Sequence, residues 1–205
     1  YLGKPKEIAD GAIYKAEFEQ IRKENRICKV PHDPNLPVYT SWDLGILDPT
    51  AIWFFQIYGK ENRVINYYEA NNEPLAHYAR ILDEKKAEHG YHYEKHFAPH
   101  DIAARDLSSG VSREQTMAAL GYRMTKGARL GVEDRIEATR QFLKNCWFDS
   151  EKCAAGIRAL QNYRREFNDK LEQFKATAVH DWASHGSDAF GEGAININKM
   201  QVATK

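Results

Sequence analysis

The stretch Val38–Glu69, VYTSWDLGILDPTAIWFFQIYGKENRVINYYE, decides the fold. Val38 to Asp43 is a short β-prone run. Thr50 to Tyr58 (TAIWFFQIY) is a stronger one, dense in the aromatic and β-branched residues that suit a pleated surface. Gly59-Lys60-Glu61-Asn62 reads as a turn, and Arg63 to Glu69 as a third strand. Connections this short predict an antiparallel meander, because parallel neighbours need a long crossover.

Working outward, Pro74 opens a helix in which Leu75, Tyr78, Ala79, Ile81 and Leu82 recur at helical spacing and which Gly90 closes. A fourth strand is expected at Tyr93 to Ala98, ending at Pro99-His100-Asp101. Ser112-Arg113-Glu114-Gln115 is a capping-box pattern and starts a helix that stops at Gly121. Tyr122 to Thr125 reads as a fifth strand, and a short strand fits around Cys146 to Phe148. Helices are expected over residues 132–144, 152–164 and 181–191. Three strands, then alternating helices and strands, then helices predict an α/β fold with a mixed central β-sheet and flanking helices.

On the other side of the meander, residues 1–37 read as an N-terminal arm or linker. Glu17 to Ile21 allow a short helix, but Pro31, Pro34 and Pro37 then interrupt regular structure. The boundary is expected after Pro37, with a globular domain over 38–205, and removal of residues 1–37 is expected to leave that domain folded. The 205 residues suit one domain with such an arm. Cys28, Cys146 and Cys153 do not form a disulfide framework and read as buried or part-buried thiols of a reducing compartment. Their spacing lacks the tight pairs of a zinc site. No apolar run approaches the ~18 residues of a membrane helix. Tyr1 to Asp10 is too polar for a signal peptide. The phosphate-loop pattern G-x-x-x-x-G-K-[ST] is missing, so this chain by itself is not expected to be an ATPase.

Charge narrows the function classes. The 29 basic and 29 acidic residues cancel, which counts against a protein that coats DNA regardless of sequence. It leaves room for an enzyme that holds DNA along one face. Between Gly121 and Arg165 there are ten Lys/Arg and five Asp/Glu, an excess of five positive charges. That segment can face phosphates or be a solvated helix face with internal ion pairs.

Three aspartates sit where an element would present them: Asp43 near the end of the first strand, Asp101 just after the fourth, and Asp188 in a C-terminal helix. If the first and fourth strands are parallel neighbours, Asp43 and Asp101 meet at their carboxyl ends, and the last helix can bring Asp188 against them. Clustered carboxylates repel one another and therefore imply a cation. Mg²⁺ takes oxygen ligands, and a pair of such ions serves phosphodiester cleavage. Aspartate also caps helices and fills turns, and spacing alone does not separate these roles. Asp48 reads as a turn residue that can reach the site, and Asp181 as an N-cap or an outer ligand. Trp42 and Trp53 read as core. His92 and His96 read as surface residues, while His100 and His185 are candidates to orient a phosphate or a water. Arg105, Lys126 and Arg129 are candidate DNA contacts, Lys126 for the scissile phosphate, with a solvated loop as the other reading of Lys126.

Several motifs together resemble the nuclease domain of large terminase subunits of tailed phages. Trp42-Asp43-Leu44-Gly45 with Asp48-Pro49-Thr50-Ala51 resembles that family's first catalytic strand and turn. Pro99-His100-Asp101 resembles its second acidic motif, and His180-Asp181-Trp182 with Ser184-His185-x-x-Asp188-Ala189 its C-terminal motif. Gly11-Ala12-Ile13-Tyr14 resembles the stretch that follows the ATPase domain in these proteins. The resemblance implies a ribonuclease H-like fold and a divalent-metal-dependent endodeoxyribonuclease that cuts double-stranded viral DNA during packaging. It implies Mg²⁺ or Mn²⁺ in a two-metal site, with Asp43, Asp101 and Asp188 as catalytic ligands and Asp181 as a further candidate. The implied partners are double-stranded DNA, the ATPase domain of the same full-length protein, portal protein and the small terminase subunit, with no membrane. The implied place is the host cytoplasm, at the procapsid. The other readings are a resolvase or transposase on the same fold, or a non-catalytic DNA-docking module.

Overall fold

The computed structural model describes residues 9–45, 48–107 and 109–203. The first eight residues of the expected arm, and Leu47 of the turn motif, lie outside them. A seven-stranded sheet runs in the spatial order β1 (Ile27–Cys28), β7 (Cys146–Asp149), β4 (Glu61–Ala70), β3 (Thr50–Tyr58), β2 (Val38–Asp43), β5 (Tyr93–Ala98), β6 (Met124–Lys126). β2, β3 and β4 form the expected antiparallel meander. On one side β5 lies parallel to β2 and β6 parallel to β5; on the other β7 lies parallel to β4 and β1 parallel to β7.

The uninterrupted apolar run of β3 reflects its central place, because a strand covered on both faces has no polar face to offer water. Two opposed clusters follow from its alternation. Trp53 and Phe55 point into one, with Phe148 and residues of α1 (Lys15–Lys23), α4 (Val132–Leu143), α5 (Ala154–Asn162) and α6 (Trp182–Ala203). Ile52 and Phe54 point into the other, with Val38, Trp42 and residues of α2 (Leu75–His89) and α3 (Arg113–Ala119). Trp42 and Trp53 are fully buried, as expected of core residues. Cys146 and Cys153 are buried and Cys28 half-buried, all as free thiols. The capping box at Ser112 is formed: its hydroxyl accepts from the Gln115 N–H while the Gln115 side chain accepts from the Ser112 N–H. The mixed sheet with helices on both faces is thus the α/β architecture expected. Among the described residues no helix is long and apolar enough to cross a membrane.

Three expectations change, and one further element, a hairpin, had no expectation. The segment before Pro37 is not a detached arm. Ile13, Tyr14, Phe18 and Ile21 are buried in the main core, and β1 forms the edge of the sheet beside β7. The buried Arg26 donates to the carbonyls of Leu143 and Cys146. The prolines turn the chain from this edge to β2 without detaching it. Second, α6 runs to Ala203, past the expected end near Gly191. Gly191 and Gly193 are buried in the helix interior, where close packing overrides their poor helix propensity. Third, β8 (Arg165–Asn168) and β9 (Gln173–Ala178) form a separate hairpin that carries exposed Phe167, Leu171 and Phe174. Fourth, His96 is not a surface residue. It is buried on β5 beside β2 and hydrogen-bonded through Nδ1 to the Thr40 hydroxyl at 2.6 Å, and burial pushes its imidazole down to about 4.

Candidate metal centre

The parallel pairing of β2 with β5 sets the site, because it brings the carboxyl ends of both strands to one edge of the sheet. Asp43 is the last residue of β2. Asp101 lies three residues beyond β5, in the 3-10 turn His100–Ala103. The amino-terminal half of α6 packs across the same edge and supplies His185 and Asp188, which share a face three residues apart. Asp43, Asp101, His185 and Asp188 line one open cleft of about 450 Å³, together with Leu44, Gly45, Asp48, Arg113 and His180. Gly45 is needed where it stands: a Cβ there would lie 2.0 Å from the Asp48 carbonyl oxygen, too close for any side chain.

Each of the three aspartates faces a cationic or protonatable group. His185 Nδ1 is 3.2 Å from Asp43 Oδ2. Arg113 donates through Nη2 to Asp101 Oδ2 at 3.0 Å and through Nη1 to the Leu44 carbonyl at 2.8 Å, which ties the end of β2 to the turn after β5. Arg135 of α4 approaches Asp188 Oδ1 at 3.5 Å. Burial nonetheless pushes the Asp188 carboxyl up to about 6, an effect that Arg135 opposes and Asp43 reinforces. The hydrogen bond to Asp43 raises the His185 imidazole, so the pair favours the protonated ring. Glu192, one helical turn beyond Asp188, is buried and pushed up to about 7 by that burial; Arg135 opposes this, while the charges of Asp188, Asp43 and Asp101 add to it.

Asp48, His180 and His185 each bring a ligand atom within 4.8 Å of the others. Among the described residues, the oxygens of Asp43, Asp101 and Asp188 do not reach that mutual spacing. The donor set is rich in carboxylate oxygen with imidazole at one side. Carboxylate oxygen suits hard divalent ions such as Mg²⁺ and Mn²⁺, and imidazole suits softer transition ions.

Of the other residues expected at the site, Asp181 takes the N-cap reading. Its carboxylate accepts from the Ala183 N–H at 2.9 Å and from Arg164 at 2.8 Å, and it does not line the cleft. His100, Lys126 and Arg129 are exposed but also lie off the cleft lining. Arg105 lines a neighbouring depression with Leu44, Gly45 and Arg113. Sequence reasoning missed Arg135 and Glu192 as members of this neighbourhood, and it gave no role to Arg113 or to His180 of the C-terminal motif. The spacing of Glu192 from Asp188 was a usable signal, since residues four apart share a helix face. Nothing in the sequence links Arg135 to Asp188.

No protein-family model and no curated protein matches this chain. Solved structures do. The large terminase of a thermophilic bacteriophage superposes with a TM-score of 0.69 at 17% identity over 94% of this chain and 46% of that one. The chain therefore spans about half the length of that terminase. The nuclease domain of the P22 large terminase gives a TM-score of 0.62 at 14% identity, covering 85% of this chain and 89% of the domain. The g2p large terminase nuclease domain from bacteriophage SPP1, with bound Mn, gives 0.56 at 17% identity, covering 79% of this chain and 86% of that domain. This chain has the fold of a large-terminase nuclease domain. The mixed sheet with helices on both faces described above is the architecture the chain shares with these domains.

Proposed function

We propose that this chain is the nuclease part of a large terminase subunit and cuts double-stranded viral DNA as a divalent-metal-dependent endodeoxyribonuclease during genome packaging. The observation that carries the reading is the convergence of Asp43, Asp101 and Asp188 from two parallel strand ends and one helix onto a single open cleft. The P22 and SPP1 domains of the same fold lend it support, and the SPP1 domain was solved with bound Mn.

Asp43, Asp101 and Asp188 would hold Mg²⁺ or Mn²⁺ as a pair of ions, with His185 beside Asp43 and with Asp48 and His180 at the rim. Bound there, the ions would lower the pKa of an attacking water and stabilise charge on the leaving oxygen. The residues of the chain do the rest. Arg113 and Arg135 orient Asp101 and Asp188, so the carboxylates are pre-positioned and not free to splay apart. His185 fixes the rotamer of Asp43. The open shape of the cleft suits a polymer that passes across it, and the exposed Arg105, Lys126 and Arg129 are the proposed phosphate contacts outside it. By the same reading the partners are the ATPase domain of the full-length protein, portal protein and the small terminase subunit, and the place of action is the host cytoplasm at the procapsid.

Digestion of supercoiled plasmid by the purified chain tests the proposal. Mn²⁺ or Mg²⁺ should support nicking and linearisation, EDTA should stop it, and Ca²⁺ should bind yet support little cutting because its looser coordination does not impose octahedral geometry. Cutting that persists in EDTA would overturn the metal-dependent reading, and a chain inert with every divalent ion would overturn the nuclease reading.

A further inference from the structure

We propose that Glu192 is a fourth carboxylate of the acidic centre and a ligand of one of the divalent cations the site takes, an inference that rests on the metal-dependent reading above. Glu192 lies on α6 one turn beyond Asp188, on the same face of the helix. Its side chain is directed at the strand ends that build the site. A Cβ on Gly127 would stand 2.2 Å from Glu192 Oε2 and 3.0 Å from the Ala98 carbonyl oxygen. Ala98 is the last residue of β5 and Gly127 follows the last residue of β6, so this carboxylate sits at the carboxyl ends of the parallel strands, the edge that also carries Asp43 and Asp101.

Glu192 is 6% exposed, and its Oε2 has no hydrogen-bond partner among the described residues. A buried carboxylate oxygen without a donor is costly, and such an atom in a native fold calls for an explanation. The cationic group acting on it most strongly is Arg135, which already faces Asp188 at 3.5 Å. Arg135 pairs with Asp188, and Glu192 Oε2 is left without a donor. A purely structural acid at this position would be expected to have a donor of its own. Gly127 keeps the space beside Oε2 clear, since any side chain there would displace the carboxylate. An unpaired, buried carboxylate oxygen one helical turn beyond Asp188 has the chemistry of a ligand for a hard cation.

The test is Mn²⁺ binding to the full chain, followed by titration calorimetry and by the electron paramagnetic resonance signal of free Mn²⁺, for the wild type, Glu192→Gln and Glu192→Asp. The wild type is expected to take up Mn²⁺. Glu192→Gln is expected to lose one ion, or to bind one at least tenfold more weakly, and Glu192→Asp to fall between the two. Thermal melting in EDTA and in saturating Mn²⁺ separates ligation from packing: a ligand role shrinks the Mn²⁺-induced rise in Tm, whereas a packing role shifts both melts alike and leaves the rise unchanged. A Mn²⁺ isotherm for Glu192→Gln identical to the wild type overturns the assignment of Glu192 alone. If Glu192→Gln does not fold, the comparison is made with Glu192→Asp, and a wild-type isotherm for that variant overturns the assignment in the same way. A wild type that binds no Mn²⁺ overturns the metal centre itself and this proposal with it.

Discussion

Asp43 and His185 stand 3.2 Å apart, carboxylate to imidazole, although 142 positions separate them in the chain. Their contact joins the carboxyl end of β2 to the first turns of α6 and fixes where the third aspartate, Asp188, enters the cleft. The interaction is part-buried, so it orients both side chains more than a surface pair would.

Asp43→Asn or Asp101→Asn should reduce metal-dependent plasmid nicking below detection while circular dichroism and Tm stay close to wild type. Neither side chain supports the core: Asp43 is half-buried at a strand end and Asp101 is exposed on its turn. Wild-type nicking by either purified variant would remove that residue from the site.

Asp181 and Asp188 should separate cleanly. Asp181 caps α6 and pairs with Arg164, so Asp181→Ala should lower stability by ~0.5–2 kcal/mol, the usual cost of a lost N-cap, and retain cleavage. Asp188→Ala should abolish cleavage and weaken Mn²⁺ binding. Melting curves, nicking assays and Mn²⁺ titrations on the two variants decide the matter, and the assignment is reversed if Asp181→Ala is the variant that loses metal with its fold intact.

Without metal, Asp188 and Glu192 should make a contribution to stability that falls as pH rises from about 4 to about 8, against the opposite contribution of buried His96, whose folded value lies at about 4. In the folded state burial raises Asp188 to about 6 and Glu192 to about 7, above the ordinary values of 3.8 and 4.5. Below the ordinary values both acids are protonated folded and unfolded alike, and there is no penalty. As pH rises through the folded values, ionisation that the unfolded chain has already completed must occur in a buried place, so stability falls. His185, raised by Asp43, acts in the same direction: its contribution is present at low pH and lost as pH passes its folded value. Melting in EDTA across this range should show a decline that is shallower in Asp188→Asn and in Glu192→Gln. Parallel curves for wild type and both variants would refute this account.

Removing residues 1–30 should leave a molten or insoluble chain, because α1 and β1 belong to the core and to the sheet. A single change should report the same dependence: Phe18 is fully buried against the core, so Phe18→Ala should cost ~3–5 kcal/mol, the usual range for deleting a buried aromatic ring. Urea unfolding measures it, and a wild-type midpoint for Phe18→Ala would show that the segment is dispensable.

Local pattern in the sequence determined most of the elements of this protein. The aromatic and β-branched density of Thr50–Tyr58, the helical spacing after Pro74 and the capping box at Ser112 are short-range signals, and the structure forms an element at each. The sequence also marked Asp43, Asp101 and Asp188, each beside a strand or helix end. Only the tertiary structure decided that they line one cleft, because the parallel alignment of β2 with β5 is a long-range pairing that no local pattern encodes. The same holds for Arg113, Arg135 and Glu192, whose roles come from neighbours distant in the chain or from burial. It holds for the N-terminal segment as well, where the prolines read as a boundary. Burial of Ile13, Tyr14, Phe18 and Ile21 outweighs that local signal, because apolar area removed from water stabilises the fold wherever in the chain it originates.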